Sequence, residues 1–177
     1  MQKAGAVVNE EKLDWINRAH IQRLPVKEFA AKLTPFIEQA GRQLPTEQIL
    51  RIAAIEQERV SKLSDIKDNL FVYTDQPVYE KELLPWKEQT HEDVKARLMD
   101  MRNILRDISE EDFLKIVPLQ EALGLYAVEY AKGNVFWPLR VALSGREKSP
   151  GPFEIMYVIG KEETLKRLDR ALQIITQ

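Results

Sequence analysis

Apolar side chains recur every three or four residues through most of the chain, which is the spacing that places them on one face of an α-helix. No pair of alternating segments joined by a hairpin turn is found, so nothing in the pattern predicts paired strands. The sequence therefore predicts an all-α fold. Two of the longest apolar faces are formed by Val94, Leu98, Met101 and Leu105, and by Leu165, Leu168, Leu172 and Ile175.

Capping residues and prolines predict where the helices of the first half begin. Asn9 precedes two glutamates and can cap a first helix that turns Leu13 and Ile16 inward, with Trp15 at the edge of that face. Pro25 predicts the start of a second helix, and Pro45 the start of a third. The apolar face of that third helix is expected to run through Ile49, Ile52, Ile55 and Leu63, with Arg51, Glu58 and Arg59 at its flanks.

Similar signals predict the helices of the second half. Pro138 is expected in the first turn of a helix that carries Arg140 and ends at Gly145. Gly151-Pro152 predicts the next helix start, and Gly160 should separate the last two helices. On the final helix, the cations are expected to lie off the apolar face. These cations are Lys166, Arg167 and Arg170.

The helical periodicity is interrupted between about Thr74 and Tyr79, and Pro85 adds a second break. A chain of 177 residues can form either one domain or two small helical units. The interruption favours two helical subdomains, 1–76 and 77–177.

Composition narrows the class of protein. The chain is 44% hydrophobic and 31% charged, and no apolar run approaches the roughly 20 residues that span a bilayer. It has no cysteine, and its beginning lacks the pattern of a secretory signal. We therefore expect a soluble, cytoplasmic protein without membrane association.

Catalytic chemistry has few candidate residues. Without cysteine, and with only His20 and His91 as histidines, the chain offers no credible zinc site or histidine-activated nucleophile. It also lacks a glycine-rich phosphate loop. The net charge is −2, so binding to nucleic acid would depend on a local basic surface. Residues 140–177 hold seven lysines and arginines against five acidic residues, an excess of two.

Two sequence segments carry long motifs. One is Pro-Leu-Arg-Val-Ala-Leu-Ser-Gly at 138–145, followed by Ser-Pro-Gly at 149–151 and Gly-Lys-Glu at 160–162. The other is Gly-Ala-Val-Val-Asn-Glu-Glu-Lys-Leu-Asp-Trp-Ile-Asn at 5–17. The first resembles the C-terminal anticodon-binding region of bacterial glutamyl-tRNA synthetases, and the second is similar to the segment that follows their catalytic portion. The resemblance thus covers essentially the whole chain.

This resemblance implies a helical bundle that binds the anticodon loop of tRNA for glutamate. Whether tRNA for glutamine is also accepted stays open, and DNA is not an expected partner. The two signature elements of the family's catalytic domain, His-Ile-Gly-His and Lys-Met-Ser-Lys-Ser, are absent from this sequence. The chain alone is therefore expected to be non-catalytic and to bind no cofactor, because ATP belongs to the catalytic domain that would be its partner.

The resemblance also implies which residues contact RNA. Arg59 matches an arginine that reads the third anticodon base, and a salt bridge to Glu56 or Glu58 is the alternative. Arg140 matches an arginine that lies against the first two bases or their backbone, and a buried pair with Glu154 is the alternative.

The loop that follows Arg140 supplies the remaining candidates. In the family, residues that match Ser149, Pro150, Pro152 and Phe153 surround the first base, although Phe153 could equally belong to the core. Arg146 and Lys148 are expected to contact phosphates. Trp137 replaces a residue that is often glutamine in the family, and we favour a packing role for it.

A helical protein-interaction or scaffold domain with the same fold, but without RNA selectivity, is the alternative hypothesis. It belongs to a different functional class and would not require the basic residues to contact RNA.

Overall fold

The computed structural model describes residues 9–177, which form ten α-helices and contain no strand. The predicted all-α fold is confirmed. No helix within this range is long and apolar enough to cross a membrane. The helices are α1 (Glu10–Arg23), α2 (Val26–Gln39), α3 (Thr46–Glu56), α4 (Ile66–Asn69), α5 (Phe71–Thr74), α6 (His91–Asp107), α7 (Glu110–Phe113), α8 (Ile116–Tyr130), α9 (Lys132–Ser144) and α10 (Pro152–Thr176).

The chain divides into two compact units, of which the first ends at Leu70 and the second is Phe71–Gln177. The sequence placed the division later, between residues 76 and 77. Helix α5 belongs to the second unit because the carbonyl of Val72 accepts a hydrogen bond from Arg167, at 2.7 Å.

The core of the first unit lies between α2 and α3. Its buried side chains are Phe29, Leu33, Ile37, Ile49 and Ile52. These residues follow the apolar periodicity, since each lies on the face that one helix turns toward the other. The predicted capping of α1 by Asn9 is confirmed, since the Asn9 side chain accepts a hydrogen bond from the amide of Lys12.

The predicted inward face of α1 is wrong. Leu13 is 46% exposed and Ile16 is 37% exposed, whereas the buried residue of this helix is Ile21. Polar contacts hold the C-terminal half of α1: Arg18 donates to the carbonyl of Glu58, at 2.6 Å, and Gln57 donates to that of Ile21, at 2.8 Å. Among residues 9–177, no neighbour buries Leu13 and Ile16 more deeply.

In the second unit, α10 packs against both α6 and α9. The predicted apolar face of α6 is confirmed, since Val94, Leu98, Met101 and Leu105 are all buried. Thr90 and Asp93 form a capping box at the start of this helix.

The first turn of α9 begins earlier than the sequence indicated, so Pro138 lies inside the helix and not in its first turn. A proline has no amide hydrogen and leaves the carbonyl four residues before it without its helical donor. Here that carbonyl belongs to Asn134, and the side chain of Gln89 donates to it at 3.1 Å. A side chain from outside the helix thus replaces the missing hydrogen bond.

Gly133, in the first turn of α9, allows the helix to approach Trp86 closely. A β-carbon at position 133 would overlap the indole ring of Trp86. That ring also packs against Trp137, with ring centroids 4.8 Å apart. Glycine is therefore favoured at position 133 because a larger residue would collide with Trp86, and not because of its backbone conformation.

Gly160 interrupts α10, as predicted. Its φ of 78° and ψ of 177° are non-helical, so two helical segments meet at this residue. The side chain of Lys161, directly after the break, donates to the carbonyl of Ile108 at 2.7 Å.

Arg167 was expected off the apolar face of the last helix, and this expectation is wrong. Its side chain is 1% exposed, and its guanidinium donates to three main-chain carbonyls and one carboxylate. The acceptors are the carbonyls of Val72 (2.7 Å), Leu143 (2.5 Å) and Asp75 (2.9 Å) and the carboxylate of Glu163 (2.9 Å). Burial lowers the pKa of Arg167, and the hydrogen bond to Glu163 acts in the opposite direction.

Replacing Arg167 should therefore destabilise the second unit. We expect Arg167→Met to lower the free energy of unfolding by about 2–5 kcal/mol, because it leaves buried acceptors unpaired. Arg170→Met is the matched control, since Arg170 lies on the same helix and is exposed. Urea denaturation of both variants measures the difference, and equal losses would contradict the role assigned to Arg167.

The two helical glycines Gly133 and Gly124 should respond to alanine in opposite ways. Gly124→Ala should raise stability by about 0.5–1 kcal/mol, because a β-carbon there meets nothing within 4 Å and alanine favours helix. Gly133→Ala should lower stability by about 1–3 kcal/mol, because the indole of Trp86 must move. Thermal unfolding followed by circular dichroism tests both, and stabilisation by Gly133→Ala would contradict the close packing.

Candidate functional site

Hydrogen bonds fix the conformation of the chain where α9 ends and the following loop begins. Gly145 ends the helix in the left-handed region, with a φ of 69°, and its amide donates to the carbonyl of Val141 at 2.7 Å. The hydroxyl of Ser144 donates to the carbonyl of Arg140 and accepts from the amide of Arg146, at 2.7 Å and 3.1 Å. The predicted end of this helix at Gly145 is confirmed.

Two cations of this loop, Arg146 and Lys148, lie on the surface. The guanidinium of Arg146 lies over the ring of Phe71, 4.5 Å from the ring centroid. This contact covers one face of the guanidinium and leaves the residue exposed. Both residues are therefore accessible to an anionic ligand.

The other predicted loop residues differ in exposure. Pro150 and Pro152 are buried, so their rings shape the loop from inside, whereas Ser149 and Phe153 are half-buried. The hydroxyl of Ser149 donates to the carbonyl of Pro150 at 2.9 Å. The ring of Phe153 packs edge-on against that of Phe136, with centroids 5.2 Å apart.

Arg140 does not form the ion pair with Glu154 that the sequence left open, among the residues the structure describes. The carboxylate of Glu154 instead accepts from the amide of Gly151, at 2.6 Å, and caps the start of α10. The Nε of Arg140 is buried and has no hydrogen-bond partner within 9–177. A buried donor without a partner costs about 1–3 kcal/mol.

Arg140 lines a cavity of about 260 Å³ on the surface of α9. The rest of its lining is Trp86, Lys132, Gly133, Phe136 and Trp137. Trp137 is half-buried, and its indole nitrogen donates to the carbonyl of Leu83 at 3.0 Å. The cavity thus combines aromatic rings with a guanidinium and an ammonium group.

A second and larger cavity, of about 670 Å³, shares Trp86 with the first. It contains Arg97, whose guanidinium lies 3.5 Å from the ring centroid of Tyr130. Both Nε and Nη1 of this arginine are buried without a hydrogen-bond partner in the described part of the chain. Sequence reasoning missed Arg97. Its spacing of three residues from the buried Val94 is a signal that could have identified it.

Arg59 belongs to the first unit, where it follows the end of α3 and does not lie on that helix. Its Nε is 3.7 Å from the carboxylate of Glu56, and its side chain remains 38% exposed. Glu56 is fully buried, and its other carboxylate oxygen accepts from Asn69 at 2.7 Å. Arg59 is therefore paired and accessible at the same time.

The chain resembles known proteins over nearly its full length. It is 30% identical to the glutamate–tRNA ligase of Phocaeicola vulgatus over 179 residues, which cover 98% of this chain and 34% of that protein. It is also 30% identical to glutamate–tRNA ligase 1 of Caldanaerobacter subterraneus over 187 residues, covering 100% and 37%. The chain spans about a third of the length of these relatives.

Solved structures share the fold. A glutamate tRNA ligase from Elizabethkingia meningosepticum superposes with a TM-score of 0.80 over 94% of this chain and 33% of its own, at 20% identity. A glutamate-tRNA synthetase from Elizabethkingia anophelis gives a TM-score of 0.72 at 22% identity. These likenesses concern the helical architecture.

The match to a family model is independent of any one relative. The model of the anticodon binding domain matches residues 28–172, which include most of both units. The resemblance to the glutamyl-tRNA synthetases is thereby confirmed, although Gly-Ala-Val-Val at 5–8 lies outside the described residues. This chain belongs to the anticodon binding domain family.

Proposed function

We propose that this chain binds the anticodon loop of tRNA for glutamate, as the anticodon-binding part of a longer glutamate–tRNA ligase. The observation that carries the proposal is the match of the anticodon binding domain over 28–172. Relatives named glutamate–tRNA ligase, which match the chain almost from end to end, support the choice of tRNA.

The surface of the second unit offers groups of the kind that hold single-stranded RNA. Bases in a loop are unstacked, so aromatic rings and guanidinium planes can stack on them and reach their edges. Arg140 lies among aromatic rings in its cavity, while Arg146 and Lys148 stand exposed on the adjoining loop. In the proposed complex, Arg140 contacts bases, and the two loop cations contact phosphates.

Among the other loop residues, Phe153 and Ser149 are the accessible candidates for contact with the first base. Pro150 and Pro152 are buried, so their contribution in the proposed complex is to set the shape of the loop. This assignment separates residues that touch RNA from residues that position them.

Arg59 is the proposed determinant of the third base. A guanidinium can donate to the O2 and N3 acceptors of cytosine, and it opposes a base that presents donors at that edge. Its ion pair with Glu56 leaves more than a third of the side chain exposed, which makes this contact sterically feasible. We propose that tRNA for glutamine is disfavoured on this basis.

Anticodon stem-loops provide the direct test. We expect the cognate glutamate loop to bind more tightly than loops changed at each anticodon base, measured by fluorescence anisotropy at low and moderate salt. Arg59→Ala should reduce the preference at the third base alone, because other residues, Arg140 among them, are proposed to contact the other bases. Uniform binding of all loops would contradict anticodon recognition, and no binding at all would favour a scaffold domain.

Arg140 and Lys148 should differ in what they contribute to affinity. Arg140→Ala should weaken cognate binding by about 1–3 kcal/mol, the range for a good bidentate contact to a base. Lys148→Ala should weaken all loops evenly and lower the slope of log affinity against log salt by about 1. Arg106→Ala is the control, because Arg106 is an exposed arginine of α6 outside the proposed site. Unchanged cognate affinity of the Arg140 variant would remove that residue from the site.

A further inference from the structure

The larger cavity, beside α6, has no part in the contacts proposed above. Besides Trp86 and Arg97, its lining consists of Lys87, Glu88, Gln89, Asp93, Tyr130 and Asn134. Its volume of about 670 Å³ falls within the range of small-molecule sites, which is several hundred cubic ångströms. Polar side chains and aromatic rings line it together, as in sites that bind ligands with both a flat ring and polar groups.

Arg97 is the strongest sign that this cavity binds a ligand. Its guanidinium stacks on Tyr130, yet Nε and Nη1 have no acceptor among residues 9–177. Buried polar groups in proteins almost always have a hydrogen-bond partner, so two unpaired donors on one side chain call for an explanation. Because Arg97 lines the cavity, an anionic oxygen that binds there would lie beside this guanidinium.

A second polar group is also available in the cavity. The side-chain amide of Asn134 makes no hydrogen bond within the described part of the chain, whereas its carbonyl is paired with Gln89. An amide can donate and accept at the edge of a base. The ring of Trp86 also lines the cavity, and the ammonium of Lys87 lies 5.5 Å from its centroid.

The two cavities adjoin each other at Trp86, which lines both. Its position is fixed by Trp137 on one side and by the close approach of Gly133. A ligand that is longer than one nucleotide could therefore occupy both cavities and pass over the same ring.

The charges differ between the two cavities. The cations are Lys87, Arg97, Lys132 and Arg140, and the acidic residues are Glu88 and Asp93. Hydrogen bonds from the amide and hydroxyl of Thr90 hold the pKa of Asp93 below the ordinary value, so this carboxylate stays ionised. The cations and carboxylates of the cavity at Arg97 therefore balance, and a phosphodiester that extends over both cavities meets the excess of positive charge at Lys132 and Arg140.

We propose that the cavity at Arg97 is a second nucleotide site, which takes the single-stranded nucleotide next to those at Arg140. Its phosphate pairs with Arg97 and Lys87, and its base lies between Trp86 and Asn134. The identity of the ligand as part of an RNA loop rests on the proposed function, but the site itself can be tested with a free nucleotide.

The probe is uridine monophosphate, with uridine and inorganic phosphate at equal ionic strength as controls. Nuclear magnetic resonance of the whole chain should show shifts at the Trp86 indole and the Asn134 side-chain amide. Arg97→Gln should weaken binding at least fivefold, Lys87→Gln should weaken it less, and Arg106→Gln, on the same helix as Arg97, should leave it unchanged. The spectrum of each variant also reports whether it is folded.

Three results would overturn the proposal: no shift at Trp86 and Asn134, unchanged binding by the folded Arg97 variant, or binding of inorganic phosphate as tight as that of the nucleotide. Failure of the proposed function would be distinguishable. If the chain binds uridine monophosphate at this cavity but shows no anticodon preference, the nucleotide site is supported and the proposed function is contradicted. If the chain shows anticodon preference but no response to the nucleotide, only the proposed site at Arg97 is contradicted.

Discussion

The second unit depends on the buried guanidinium of Arg167. It donates to the carbonyls of Val72 and Asp75, at the start of this unit, and to that of Leu143, at the end of α9. Arg167 thus connects α10 with two other parts of the chain that are far apart in sequence. One of these acceptors, Leu143, lies two residues before Gly145, where the basic loop begins. The hydrogen bonds of Arg167 therefore help to position Arg146 and Lys148, although neither residue contacts Arg167.

The local elements of the fold could be predicted because their causes are local. The capping of α1 by Asn9, the buried face of α6 and the end of α9 at Gly145 each depend on residues within a few positions of one another. Burial of Arg167 could not be predicted in this way. Its acceptors are mostly main-chain carbonyls, which every residue possesses, so no side-chain pattern indicates them.

The same reasoning explains which parts of the candidate site could be predicted. Residues 138–151 carry a motif, and the exposed cations Arg146 and Lys148 follow directly from it. The burial of Pro150 and Pro152 depends on tertiary packing, which sequence spacing does not report. Arg97 belongs to no motif, and only the meeting of three helices with Trp86 shows that its donors lack partners.

The pair of Arg59 and Glu56 has a consequence for the entropy of recognition. An unrestrained arginine side chain carries about 2 kcal/mol of rotamer entropy, much of which is lost when it is fixed by a ligand. Glu56 is itself fixed by Asn69, so Arg59 is restrained before any ligand arrives. In the proposed complex, Arg59 would therefore lose less side-chain entropy on contact with a base than an unrestrained arginine would.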